Sequence, residues 1–289
     1  MRCNPEIRGL YRKSGSVLIL MALATAMLVM ATPVRADMLI SPLRVLLDKD
    51  NQTASIILNN PSDGARTYRL EWVDQQMSED GVYRPYKEGE SRQSASSYLR
   101  LAPRQITVAA KSSQSVRVSF HSNADMAPGE YRSHLLFKVL EDVSEPYSVS
   151  KIGAGEGMTM QLNMQLSMSI PVVIRYRVTA QPNVKIAKVE PVPTTAPGQA
   201  AQLAVVLQRS GVASSFGRVI IEMQVTPDAP VEKIGQADNI SIFTDMAERR
   251  LILSLRDSSI PAGAWLRIAY EGTDEYAGVL WDEKVFQSR

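Results

Sequence analysis

Cysteine is all but missing from this chain of 289 residues: the one present, Cys3, lies at the extreme N-terminus. Beyond it there can be no disulfide and no thiolate chemistry, so the fold must be stabilised by burial alone. Histidine is nearly as scarce, with only His121 and His134. Each falls in an expected strand and the two are separated by one hairpin, so they could face each other. Without cysteine or a nearby acidic cluster they do not complete a metal site, and no metal is expected. Also missing are a G-x-S-x-G elbow, a Walker loop and a glycine-rich dinucleotide fingerprint. The carboxylates are scattered and nothing singles out a glycosidase pair. We expect no catalysis, no cofactor and no small-molecule substrate.

Charge of one sign is lacking too. The formal net charge is +2. Residues 1–36 carry Arg2, Arg8, Arg12, Lys13 and Arg35 against Glu6, a net +4, which leaves about −2 for the remainder. A nucleic-acid surface needs clustered lysine and arginine, so nucleic acid is excluded as a partner. There is one long hydrophobic run, Val17 to Ala31, shorter than the roughly 20 apolar residues that span a bilayer. It follows a basic stretch ending at Lys13 and precedes Val34-Arg35-Ala36, with small or apolar residues at the −3 and −1 positions. This is the pattern of a cleavable export signal over 1–36, the alternative being an uncleaved anchor.

Helical periodicity is almost absent after residue 37, and alternation takes its place. Thr53–Asn59, Thr67–Trp72, Gln105–Ala109, Ser115–Phe120 and Tyr131–Val139 read as strands, separated by Asn59-Asn-Pro-Ser-Asp-Gly64, Glu79-Asp-Gly81 and Ala127-Pro-Gly129. Short strands with turn signals and no helices between them predict antiparallel sandwiches. The pattern pauses at Gln181-Pro-Asn and at Pro191–Gly198. It resumes with Ala201–Gln208, Arg218–Val225, Ile240–Phe243, Arg249–Leu255, Trp265–Tyr270 and Gly278–Trp281. Two β-sandwich domains are expected, over 37–178 and 179–289.

The most regular segment is 158–174. Every even position is apolar: Met158, Met160, Leu162, Met164, Leu166, Met168, Ile170, Val172 and Ile174. The odd positions are polar until Pro171 and Val173. Seventeen residues at ~3.3 Å each span about 50 Å, far beyond an ordinary strand, so part of the segment is expected to project past its own core. Four of the nine apolar residues are methionine, which adapts to differently shaped partners. A greasy exposed strand calls for a cover or a partner, and could also pair with a second copy of the chain. The competing account is a long bent strand whose side chains all serve its own core. The segment before it, Glu141–Gly157, reads as a long loop.

Several stretches carry a resemblance. Ile40-Ser-Pro-Leu-Arg-Val-Leu-Leu-Asp48, Ala54–Pro61, Tyr68-Arg-Leu-Glu-Trp72, Leu101–Val108 with Gln114–Val118, and Gly129-Glu-Tyr-Arg-Ser-His-Leu135 resemble the periplasmic chaperones of the chaperone–usher pilus pathway. The likeness covers about 38–178; over 179–289 it rests on size and strand content. It implies two immunoglobulin-like domains set at an angle around a cleft, and a periplasmic location. Pilin or fimbrial subunits and an outer-membrane usher would be the partners. The last strand of the first domain would complete a subunit's sandwich by donor-strand complementation. The donated residues would be Met160, Leu162, Met164, Leu166, Met168 and Ile170. The resemblance also implies two basic residues in the cleft that hold the subunit's C-terminal carboxylate. Arg44 matches the first; the second, a lysine, falls on about Val173, and Arg104 and Lys111 are considered as substitutes. The long loop and absent cysteines look like the archaic or alternative long-loop chaperones. The other function considered is an exported structural or adhesive sandwich protein, such as a pilus subunit. A subunit should carry an N-terminal donor extension, whereas the alternating strand here is internal and follows six expected strands, the five above and the opening strand that carries Arg44.

Overall fold

In the computed structural model residues 38–87, 90, 93–140, 167–193 and 199–288 are described. The expected signal, the loop 141–157 and residues 158–166 of the alternating segment lie outside them. Among the described residues the architecture is all-β, as expected, and consists of two sandwiches. The first is built from β1 (Leu39–Ser41), β2 (Val45–Leu47), β3 (Thr53–Asn60), β4 (Arg66–Val73), β7 (Leu99–Ala102), β8 (Gln105–Val108), β9 (Ser112–Phe120), β10 (Gly129–Leu140) and β11 (Met168–Tyr176). Its sheets run β1-β3-β9-β7 and β2-β11-β10-β4-β8. The opening segment thus starts in one sheet, antiparallel to β3, and crosses at Pro42–Arg44 to the other, where β2 lies parallel to β11.

The core between these sheets follows from alternation. In β3 Ile56 and Leu58 point inward, in β9 Val116 and Val118, in β10 Leu135 and Phe137, and in β11 Ile170, Val172 and Ile174, all buried. The intervening residues of β3 and β9 face water. Glu130, Arg132 and His134 of β10 and Pro171, Val173 and Arg175 of β11 do not, because the second sandwich covers that part of the face.

The second sandwich comprises β12 (Asn183–Val192), β13 (Gln202–Ser210), β14 (Ser215–Gln224), β15 (Glu232–Ile242), β16 (Glu248–Ser254), β17 (Trp265–Gly272) and β18 (Leu280–Gln287). Its sheets are β12-β13-β16 and β15-β14-β17-β18. Val205, Leu207, Val219, Ile221, Leu253, Ile268 and Tyr270 centre its core. The periodicity misses β12, reading a pause there. Pro182 and Pro193 flank it and Pro191 lies within it, and a bulge between Ile186 and Lys188 breaks its alternation. It is an edge strand, where proline's missing N–H is tolerated. β15 begins eight residues before the expected Ile240, again through bulges that interrupt the period.

A hairpin of β5 (Gln75–Met77) and β6 (Tyr83–Pro85) leaves the first sandwich and reaches the second. At its tip the carbonyl of Glu79 accepts from the Arg250 backbone N–H at 2.8 Å and from Arg249 Nη1 at 3.1 Å. Gly81 there has φ of 84°, a left-handed conformation that favours glycine, and the Arg249 guanidinium lies where a Cβ would stand.

Candidate functional site

β11 is paired along all of one edge and only part of the other. It runs antiparallel to β10 from Phe137↔Met168 to Gly129↔Tyr176. On the far side β2 pairs with Val172–Ile174 alone. Among the described residues no strand covers that edge over Met168–Pro171. An open edge of this kind is a template for another chain. Of the six residues expected to be donated, Met168 is exposed at the open end and Ile170 is buried in the first core. Met160, Leu162, Met164 and Leu166 lie outside the described residues.

The other face of this sheet meets the second sandwich. Alternation puts Arg44 and Leu46, Val173 and Arg175, and Glu130, Arg132 and His134 on it, with Leu46↔Val173, Arg132↔Val173, Glu130↔Arg175 and His134↔Pro171 as cross-strand neighbours. Phe216, Phe243 and Tyr276 of the second sandwich pack against it around fully buried Val173. The position where the resemblance places a lysine is thus the apolar centre of the interface. Cations flank it instead.

Arg44 lays its guanidinium on the Phe216 ring, 3.7 Å from the centroid. Its Nη2 donates to Asp274 Oδ2, and its Nη1 to Ser241 Oγ at 3.2 Å and Asn239 Oδ1 at 3.4 Å. Burial lowers its pKa from the ordinary arginine value, Asp274 and Glu275 opposing that effect. Arg175 Nε donates to Glu130 at 3.0 Å, its Nη2 to the Ser214 carbonyl at 3.0 Å, and its Nη1 lies 3.3 Å from Glu275. Burial depresses this guanidinium too, but Glu130 outweighs it in combination with its other partners and the net shift is upward. Arg132 meets both oxygens of Asp245, Nη1–Oδ1 at 3.0 Å and Nη2–Oδ2 at 2.7 Å, while stacked 3.9 Å above Phe243. Arg44, Arg132 and Arg175 of the first sandwich therefore each find a carboxylate of the second, with Phe216 and Phe243 edge to face between them.

The second sandwich shapes its side of the interface through Arg209, a buried cation. It donates to the carbonyls of Gly211, Ala213, Phe243, Thr244 and Met246 at 2.8–3.4 Å. Burial lowers its pKa. Two loops, 211–214 and 243–246, are tied to one side chain, and they carry Ser214, Phe243 and Asp245 to the seam.

Arg44, Arg104 and Lys111 are not brought together. Arg104 is exposed between β7 and β8 and lines a hollow of about 370 Å³ with Trp72, Leu99 and Arg100. Lys111 turns the chain between β8 and β9 and holds the β3–β4 loop, its Nζ 2.5 Å from the Pro61 carbonyl and 3.0 Å from Asp63. Arg44 alone lines the interdomain hollow of about 410 Å³, with Leu43, Arg218, Asn239, Asp274 and Glu275. The histidines do not face each other, because β9 and β10 belong to opposite sheets rather than one hairpin. His121 is exposed beyond β9; His134 is fully buried at the seam, edge-on to Tyr83 at 4.8 Å. Burial, with Arg132 close by, pushes the His134 pKa down to about 3. The role of Arg132, Arg175 and Arg209 was not legible from spacing, since their acids and carbonyls come from distant segments.

Two β-sandwiches, an open strand edge and a cation-lined seam between them define the molecule. No protein-family model and no curated sequence matches the chain. Among solved structures it is similar to the CupB2 chaperone of Pseudomonas aeruginosa (9% identity, TM-score 0.43, 86% of this chain and 98% of that one). It is also similar to the Salmonella enterica complex of SafA pilin with the SafB chaperone (11%, 0.44, 89% and 98%). A third likeness is the CsuC–CsuE chaperone–tip subunit pre-assembly complex of the archaic Csu pili of Acinetobacter baumannii (10%, 0.41, 88% and 98%).

Proposed function

We propose that the chain is a periplasmic assembly chaperone that binds pilin-type subunits by donor-strand complementation and passes them to an outer-membrane usher. In this reading 1–36 is a cleaved signal, 37–178 the subunit-binding domain and 179–289 the second domain. One observation carries it: the alternating segment 158–174 runs into β11 at the stretch, Met168–Pro171, whose outer edge has no described strand beside it. Main-chain bonds along such an edge supply affinity, and alternate side chains supply fit. Without a subunit the same edge would pair two copies of the chaperone. Arg44, beside the cleft, is the residue to hold a subunit's terminal carboxylate.

The test is co-expression of the full chain with a subunit encoded beside it, followed by co-purification. A stable complex is expected from the unaltered chain. Met164→Pro, which removes a ladder donor, should lose the complex and keep the melting temperature. A Met164→Pro protein that still holds the subunit would exclude strand donation.

A further inference from the structure

Arg44 already holds a carboxylate, and that carboxylate belongs to its own chain. Asp274 sits in the short 3-10 turn Asp274–Tyr276, which follows β17 in the second sandwich. The two partners differ sharply in access: the Arg44 side chain is 7% exposed and that of Asp274 is 65% exposed. The guanidinium is fixed from below by Phe216 and cannot easily follow a departing partner. The aspartate can swing into water at little cost.

The pairing also leaves the fork incompletely used. Asp274 accepts at Nη2 through Oδ2, while Nη1 rests on two neutral oxygens, one of them at 3.4 Å. A free carboxylate bridging both nitrogens would make two parallel charge-assisted bonds where the fork now makes one. Room for it exists in the hollow of about 410 Å³ that Arg44 and Asp274 both line. The other cations near the seam are committed: Arg175 to Glu130 and Glu275, Arg132 to both oxygens of Asp245, and Arg218 to Glu271 at 2.9 Å.

We propose that Asp274 is a built-in competitor at the Arg44 fork, occupying it until the C-terminal carboxylate of a bound polypeptide displaces it. The proposal rests on the reading of Arg44 as a carboxylate anchor. Asp274 would set the threshold for capture, so that a terminal carboxylate alone is held weakly. A subunit that also pairs with the strand would win the site.

The substitution that tests it is Asp274→Asn. Asp274 has φ of 56°, in the left-handed region that asparagine also tolerates, so the turn should keep its shape. The probe is N-acetylglycine, with N-acetylglycinamide as the uncharged control, titrated into the full chain while the Arg44 Nε–Hε resonance is followed. N-acetylglycine should bind the Asp274→Asn protein about tenfold more tightly than the unaltered protein, because the fork is no longer part-occupied. The amide should not bind, and Arg44→Ala should abolish the response to the acid. Equal affinity in the unaltered and Asp274→Asn proteins, or no binding to either, would overturn the proposal. Tenfold tightening by Asp274→Asn together with undiminished subunit co-purification by Arg44→Ala would sustain the competition and instead sink the anchor reading.

Discussion

At the scale of single residues, His134 is the group most at odds with its surroundings. It is fully buried and neither ring nitrogen has a hydrogen-bond partner among the described residues. The imidazole is therefore neutral when folded, with a pKa of about 3 against an ordinary 6.5. Between those values the unfolded chain binds a proton that the folded one does not, so stability rises with pH through this window and is lost as pH falls below 6.5. From pH 6.5 to 4.5 the loss from this residue is about 2–3 kcal/mol. His134→Leu should remove that part of the acid sensitivity and be neutral or stabilising at pH 7, because it deletes two unsatisfied polar atoms. Urea denaturation of both proteins at pH 7 and 4.5 measures it. An unchanged pH dependence in His134→Leu would show that the imidazole is hydrated or partnered in solution.

At the scale of one element, residues that look alike along the alternating segment are expected to do different work. Ile170, Val172 and Ile174 lie in the first core, each almost without exposed surface. Ile170→Ala should cost about 2–5 kcal/mol in unfolding free energy, the usual range for truncating a buried isoleucine. The affinity of the surviving folded protein for subunit should fall little. Leu162→Thr and Leu166→Thr should behave the opposite way, with unfolding unchanged within about 0.5 kcal/mol and binding reduced, threonine keeping β propensity while losing apolar contact. Paired urea and co-purification measurements separate the two. A stability loss at Leu162 or Leu166 equal to that at Ile170 would assign the whole segment to the chain's own core.

At the scale of the whole molecule, the relation between the sandwiches depends on a few charged pairs over a small aromatic core. Arg132 and Asp245 are the most complete of these, with two bonds, a stacked Phe243 beneath and side chains 11% and 24% exposed. Breaking one partner leaves the other charge partly buried, which costs more than the pair itself contributes. A double-mutant cycle of Arg132→Ala and Asp245→Ala should give a coupling energy of about 1–3 kcal/mol by urea unfolding. The single variants should also widen the distribution of interdomain distances seen by small-angle scattering. Coupling near zero would mean that Val173, Phe216 and Tyr276 hold the seam without help from charge. Arg44, at the same seam, is held by an exposed aspartate rather than a half-buried one, which is why it remains available for exchange.

Much of this protein follows from local pattern. The near absence of cysteine and of helical period, and alternation through much of β3, β4, β9, β10 and β16, were enough to define all-β sandwiches stabilised by burial. The period-two signal is local, since each side chain's face depends only on its neighbours along one strand. The same locality explains the failures: the bulge at Ala187 hid β12, and β5 and β6 are too short to show a period. Arg44 stood out only through the residues around it that carry the family resemblance. Its partners, Asp274, Ser241 and Asn239, are some 195–230 positions away and no spacing rule connects them. Which arginines meet which acids, which histidine is buried, and the burial of Ile170, Val172 and Ile174 in the first core were decided by how two sheets stack face to face. That stacking brings together atoms far apart in the chain, so it is a property of tertiary packing and leaves no periodic trace in the sequence.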